Sequence, residues 1–270
     1  MNVNRGFRFG IDGNDNQQDA VAWAQGNVDE MLAWREKLPS WEQLAQPGSQ
    51  LEMLLEELPS FPPVDLRLTL DHALETAFVF LDEIGRITRQ QQPSSPPVVL
   101  SDFRGALLAS ARVHYALLPD VHGPSRQERA LKVMRQEANS LAQLYEQAAS
   151  LREAGFCNLP PEPDVQASLR AIRRLRANGN PPPRDANMLR EVAAMMDQIP
   201  IQQGGFPGIK HELVATFNVS SGIVHGYGWP GLLWQIGDLP IDAPQNFLLG
   251  SILAHNAHRL VLETAGLDAS

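Results

Sequence analysis

Apolar residues recur at intervals of three and four along most of this chain. Leu70, Leu74, Ala77, Leu81 and Ile84 step by four, three, four and three, which lays them along one side of an α-helix. The spacing predicts a long helix over 64–91. Phe103, Leu107, Ser110, His114 and Leu117 repeat the pattern and predict a second over 101–118, with Ser101 and the following Asp102 as its N-cap. Weaker versions predict helices over 16–38, 51–58, 125–154, 164–178, 183–197, 208–225 and 243–265. Gly155 and Gly266 serve as stop signals. No segment combines β-branched enrichment with alternation of period two, so almost no strand is expected.

Prolines cluster at 58–63, 93–97, 160–163, 181–183 and 230–244. Proline breaks helix hydrogen bonding and strand ladders alike, so these clusters read as connections between helices. The expected fold is all-α: an antiparallel helical bundle with an acidic N-terminal helical arm and a small helical insertion. The arm covers 1–60, the main bundle 61–155 and 208–270, and the Pro/Arg-rich insertion 156–207.

Charge and cysteine content narrow the setting. The chain has 270 residues and a formal net charge of −9, which disfavours non-specific attraction to nucleic acid or membrane. Residues 1–60 hold ten Asp/Glu against four Lys/Arg. Cys157 is the only cysteine, so no internal disulfide can form and a reducing compartment is expected. With no signal-peptide pattern at the N-terminus and no apolar run near the ~18 residues a membrane helix needs, the expectation is a cytoplasmic protein without a membrane partner.

Several polar groupings are candidates for chemistry. In F-N-V-S-S-G-I-V-H-G (217–226), helical spacing puts His211, Asn218, Ser221 and His225 on one stripe. Ser221 and His225 could act as nucleophile and base, or could bond a carbonyl one turn back and cap the helix. His255 and His258 stand at i,i+3, a spacing that can hold a metal, but no Glu-x-x-His pair accompanies them; no metal and no cofactor are expected. Asp71 and His72 are followed by Glu75, which shares a helix face with His72. Arg104 sits between Phe103 and Leu107 and needs an acid, a carbonyl or solvent; Glu128 and Glu137 are candidates. Arg170, Arg173 and Arg174 share a face without aromatic neighbours, which gives no support for base stacking. P-loop, G-x-G-x-x-G, H-E-x-x-H and C-x-x-C patterns are absent from the chain.

Three stretches taken in order, D-L-R-L-T-L-D-H-A-L (65–74), F-R-G-A-L-L-A-S-A-R-V-H-Y-A-L-L-P-D (103–120) with Q-E-R-A-L (127–131), and F-N-V-S-S-G-I-V-H-G (217–226), resemble bacterial helical families with an arginine-led helix, an L-L-x-P helix end, an E-R helix start and a late S-x-x-x-H-G. Some of these are grouped with the HEPN-like bundles, which include abortive-infection proteins and toxins. The resemblance spans about 65–230 and departs from the pattern at Ser110, where an acid would sit. It implies a bundle in which Asp71, His72, Arg104, Ser221 and His225 converge. HEPN-type ribonucleases carry an arginine and a histidine with four to six residues between them, and Arg67 and His72, with four between, match that spacing here.

Two functions follow as expectations. The first is a binding or association role in a stress or defence context, motivated by the lack of a strong catalytic motif and by Trp23, Trp34 and Trp41, which look exposed on the arm; a homodimer fits it. The second is a metal-independent ribonuclease acting on RNA, with His72 or His225 as base and Arg67 or Arg104 stabilising the phosphate charge.

Overall fold

The computed structural model describes residues 17–37, 44–58, 64–89, 96–121, 123–155, 160–177, 181–203, 205–225 and 243–268. Within them are ten α-helices: α1 (Gln17–Lys37), α2 (Gln50–Glu57), α3 (Leu66–Arg89), α4 (Pro96–Leu117), α5 (Arg126–Glu146), α6 (Ala148–Glu153), α7 (Glu162–Ala177), α8 (Asp185–Gln198), α9 (Ile209–Val224) and α10 (Ala243–Ala265). A single 3₁₀ turn spans Ile201–Gln203. The all-α expectation holds, and among the described residues there is no strand.

The centre of the molecule is α3 against α4. Helix α10 packs on α4 and α3, and α1 packs on α10 and α3. On the other side of α4 lie α9, α8 and α5, with α7 on α5. The stripes Leu70–Leu74–Ala77–Leu81–Ile84 and Phe103–Leu107–Ser110–His114–Leu117 are buried throughout. Three glycines let these helices approach closely. A β-carbon on Gly105 would collide with the Phe80 ring, one on Gly250 would lie 2.9 Å from Leu81 and 3.3 Å from Phe103, and one on Gly85 would lie 2.9 Å from Phe247.

Local chemistry explains several helix ends. At α5, the Glu128 amide donates to Ser125 Oγ (3.2 Å) and the Ser125 amide donates back to Glu128 Oε2 (3.0 Å), a reciprocal cap. Helix α10 ends as predicted at Gly266, whose φ of 78° suits a residue without a β-carbon; Leu267 then donates to the Leu262 carbonyl at 2.9 Å. Arg129 is fully buried at the start of α5. It donates to the carbonyls of Tyr115 (2.7 Å), Pro124 (2.7 Å) and Leu118 and pairs with Asp120 at 2.9 Å, which fastens the α4–α5 connection.

Three expectations need correction. Helix α4 starts at Pro96, not Ser101: proline is tolerated in a first turn, where its missing N–H has no partner to lose, and Ser101 is an exposed interior position. The long helix over 125–154 is interrupted at Gln147, where the chain tightens and its amide donates to Leu144 at 3.1 Å. Trp34 is buried in the α1–α10 seam, whereas Trp23 is 65% exposed; Trp41 lies outside the described residues. No described helix is long and apolar enough to cross a membrane.

Candidate functional site

Helices α1, α3 and α10 meet in a cluster of polar side chains. Helical spacing supplies Met31, Trp34 and Arg35 from α1, Asp71, Leu74, Glu75 and Phe78 from α3, and His255 and His258 from α10. The two histidines at i,i+3 both face Trp34. His258 stacks on its indole with ring centroids 5.3 Å apart and planes 13° apart, and His255 lies 4.9 Å away at 32°. His255 Nε2 is 2.9 Å from Glu30 Oε2. Arg35 pairs with Glu75 and lies 5.8 Å from the centre of the Phe78 ring.

Between these side chains is a recess of about 30 Å³, lined by Met31, Arg35, Asp71, Leu74, Glu75, Phe78 and His258. That volume suits one or two water-sized groups. His258 is 6% exposed, and its Nδ1 is enclosed with no hydrogen-bond partner among the described residues. Burial, with the nearby His255 and Arg35, pushes the His258 imidazolium down to about 4. The ring is therefore neutral at pH 7. Burial also raises the Asp71 carboxyl above its ordinary value; Glu75 adds to the rise while His72 and Arg35 oppose it. Two carboxyl groups against one guanidinium leave an excess of negative charge around a partnerless imidazole nitrogen. Such a recess favours a compact positive hydrogen-bond donor and opposes a phosphate.

Of the residues singled out in the sequence, Asp71, Glu75 and His258 line this recess. His72, the residue after Asp71, is exposed on α3. Arg67 belongs to the cap of α3: its amide donates to Asp65 Oδ1 at 2.7 Å, and its Nε lies 3.7 Å from the same oxygen. Arg104 faces α9, with its guanidinium carbon 5.6 Å from the centre of the Phe217 ring and its Nε enclosed without a hydrogen-bond partner among the described residues. It meets neither Glu128, which caps α5, nor Glu137; the buried, ion-paired arginine is Arg129. Ser221 is half-buried, and its carbonyl accepts the amide of His225 at 3.0 Å. His225 is exposed at the C-terminal cap of α9.

The helix register separates these groups. Gly105 lies against Phe80, so Arg104 is level with the later half of α3. Asp71 is nine residues nearer the start of that helix, about 13 Å along its axis. Asp71 and Arg104 thus lie in different seams, one between α1, α3 and α10 and the other between α4 and α9.

Arg35 and His258 complete the recess, and Trp34 stacks on His258. The sequence marks His258 only through its spacing from His255, and nothing in the spacing says that both turn toward an indole on the arm. Among the described residues no group of three or more His, Cys, Asp or Glu is placed to hold a metal ion. Arg170, Arg173 and Arg174 are exposed on α7. The chain matches no protein-family model, and no curated protein or solved structure is significantly similar to it.

Proposed function

We propose that this protein is a non-catalytic binding protein whose recess between α1, α3 and α10 takes the head of a small cationic ligand, a primary ammonium group. The observation that carries this reading is that His258, whose Nδ1 is enclosed without a hydrogen-bond partner among the described residues, lines the same 30 Å³ recess as Asp71 and Glu75. A partnerless buried polar atom costs free energy in the empty protein, and a ligand that donates to it recovers that cost. An ammonium group has three donors and about the volume of a water molecule. Asp71 and, in its Nε2–H tautomer, His258 Nδ1 supply acceptors, while Glu75 and the Phe78 ring already face Arg35. A binding role in a stress or defence setting, as the resemblance suggests, is compatible with this chemistry.

The ribonuclease reading draws less support. Arg67 is tied to Asp65, and His72 has the Asp71 carboxyl beside it, which repels a phosphodiester.

Isothermal titration with ethylammonium and with 1,4-diaminobutane tests the proposal. Saturable binding that falls at least about tenfold in Asp71→Asn supports it, since a charged hydrogen bond contributes on the order of 1.5–3 kcal/mol. Absence of saturable binding by either amine, or equal binding by the variant, rules the recess out as an amine site. Cleavage of labelled RNA by the purified protein, lost in His72→Ala, would favour the ribonuclease instead.

A further inference from the structure

A second hollow, of opposite character, opens between α8 and α9. It has a volume of about 370 Å³ and is lined by Arg190 from α8 and by Lys210, His211, Val214, Ala215 and Asn218 from α9. The α9 residues recur at intervals of three and four, so they form one face of that helix. The size lies within the range of small-molecule sites.

What distinguishes this place is where the carboxylates go. Helices α8 and α9 carry four acidic residues, and none of them lines the hollow. Asp185 accepts from Gln136 Nε2 at 2.6 Å. Glu191, although next to Arg190, accepts from the Tyr115 hydroxyl at 3.0 Å on α4. Asp197 accepts the Gly208 amide at 2.5 Å. Glu212 has its Oε2 enclosed without a hydrogen-bond partner among the described residues, and burial pushes its carboxyl up to about 7, so its negative charge is only partly present at neutral pH. In a chain with 31 acids and 22 Lys/Arg, a hollow faced by Arg190, Lys210 and His211 without a facing carboxylate is not the average surface.

Arg190 is steadied by a bond from Nη1 to Asn187 Oδ1 at 3.1 Å, which leaves most of its donors free. Lys210 and His211 lie in the first turn of α9, whose N-cap amide, Gly208, donates to the Asp197 carboxylate. Val214 and Ala215 give the hollow an apolar wall, and the Asn218 amide stands one to two turns further along.

We infer that this hollow is a binding site for a small phosphate monoester, whose phosphoryl group meets Arg190, Lys210 and His211 and whose apolar body rests on Val214 and Ala215. Arginine and lysine recognise phosphate through charge-assisted hydrogen bonds, and the short apolar wall selects an ester over free phosphate. The site is separate from the recess at Asp71 and does not depend on the amine reading.

Isothermal titration at low salt with phenyl phosphate, inorganic pyrophosphate and a single-stranded RNA oligonucleotide decides it. Phenyl phosphate is expected to bind saturably and more tightly than pyrophosphate, and to weaken at least about tenfold in the double variant Arg190→Gln/Lys210→Met. Both side chains are exposed, so the variant should melt with the wild type. A second variant, Ala215→Glu, keeps the cations but puts a carboxylate into the hollow, and should abolish binding. Failure of phenyl phosphate to bind, equal binding by either variant, or tighter binding of RNA than of both small probes overturns the assignment.

Discussion

Replacing His114 with leucine should flatten the dependence of stability on pH. The sequence places His114 on the apolar stripe of α4, and the structure buries it completely. Its Nδ1 lies 2.8 Å from the Ser110 carbonyl, so Nδ1 carries the proton; Nε2 is enclosed without a partner. Burial, with a further contribution from the Arg259 charge, pushes the imidazolium down to about 4, against the bond to Ser110. The folded value lies below the unfolded value of about 6.5. Above pH 6.5 both states are neutral and the residue contributes no pH dependence. As pH falls from 6.5 toward 4, the unfolded chain takes up a proton that the folded one refuses, and stability is lost over that window. At pH 5 the loss relative to pH 7 is about 2 kcal/mol from this residue alone.

Leucine is close to imidazole in volume, fits a helix and has no nitrogen to protonate. The Ser110 carbonyl keeps its place in the helix ladder, so at pH 7 the variant should unfold within about 1 kcal/mol of the wild type. Urea unfolding followed by circular dichroism at pH 5, 6 and 7 gives the comparison. His258 still titrates in both proteins and Glu212 acts in the opposite direction, so the informative quantity is the difference between the two curves: the variant should be the more stable at pH 5 by about 2 kcal/mol relative to its standing at pH 7. Parallel curves would refute the claim that His114 is buried in its neutral form.

Gly105→Ala should destabilise by about 1–3 kcal/mol, because its β-carbon would enter the Phe80 ring and α3 and α4 would have to part; Gly26→Ala, with no atom within 4 Å of the new methyl, should instead raise the melting temperature slightly. Arg129→Met should cost about 3–5 kcal/mol in chemical unfolding, since it strands the carbonyls of Tyr115, Leu118 and Pro124. Glu212→Gln should change the pH profile between about pH 4.5 and 7. Its folded value of about 7 lies above the unfolded 4.5, so the wild type loses stability as pH rises through that window; the variant should not, and its advantage in thermal unfolding should grow from pH 5 to pH 8.

The helices were legible because an apolar stripe is a one-dimensional signal. Leu70 to Ile84 and Ala243 to Ala265 each declare their element without reference to another part of the chain. Helix ends were legible where a cap is local, as at Ser125 and Gly266, and misleading where a residue permits two roles. Pro96 can stop a helix or start one, and the capping preference of Ser101 could not decide between them. The interruption at Gln147 carries no glycine or proline, and nothing in the sequence or the structure explains its position. The recess was legible only in part, as the separate candidates Asp71, Glu75 and His258, because their meeting is set by register between helices. Whether His258 meets Trp34, and whether Arg104 meets an acid or the Phe217 ring, depends on how far one helix slides past the next. Glycines such as Gly105 set that slide through contacts invisible in a single helix.

Net charge hides the two hollows for a related reason. A formal charge of −9 governs the field many ångströms away, but salt at physiological strength screens beyond about 8 Å. Within that distance only the nearest groups count. At α1–α3–α10 these are Asp71 and Glu75 against Arg35; at α8–α9 they are Arg190 and Lys210, with no carboxylate lining the hollow. One molecule can therefore hold an acidic recess and a basic hollow without contradiction. The two should respond differently to salt. In the recess His258 is buried and Asp71 half-buried, but Arg35 and Glu75 are 46% and 39% exposed, so salt screens it in part, whereas Arg190, Lys210 and His211 in the hollow are all exposed. Raising salt should weaken phenyl phosphate binding more steeply than ethylammonium binding; an equal response at both places would mean that the amine also binds at exposed surface charge and not in the recess beside His258.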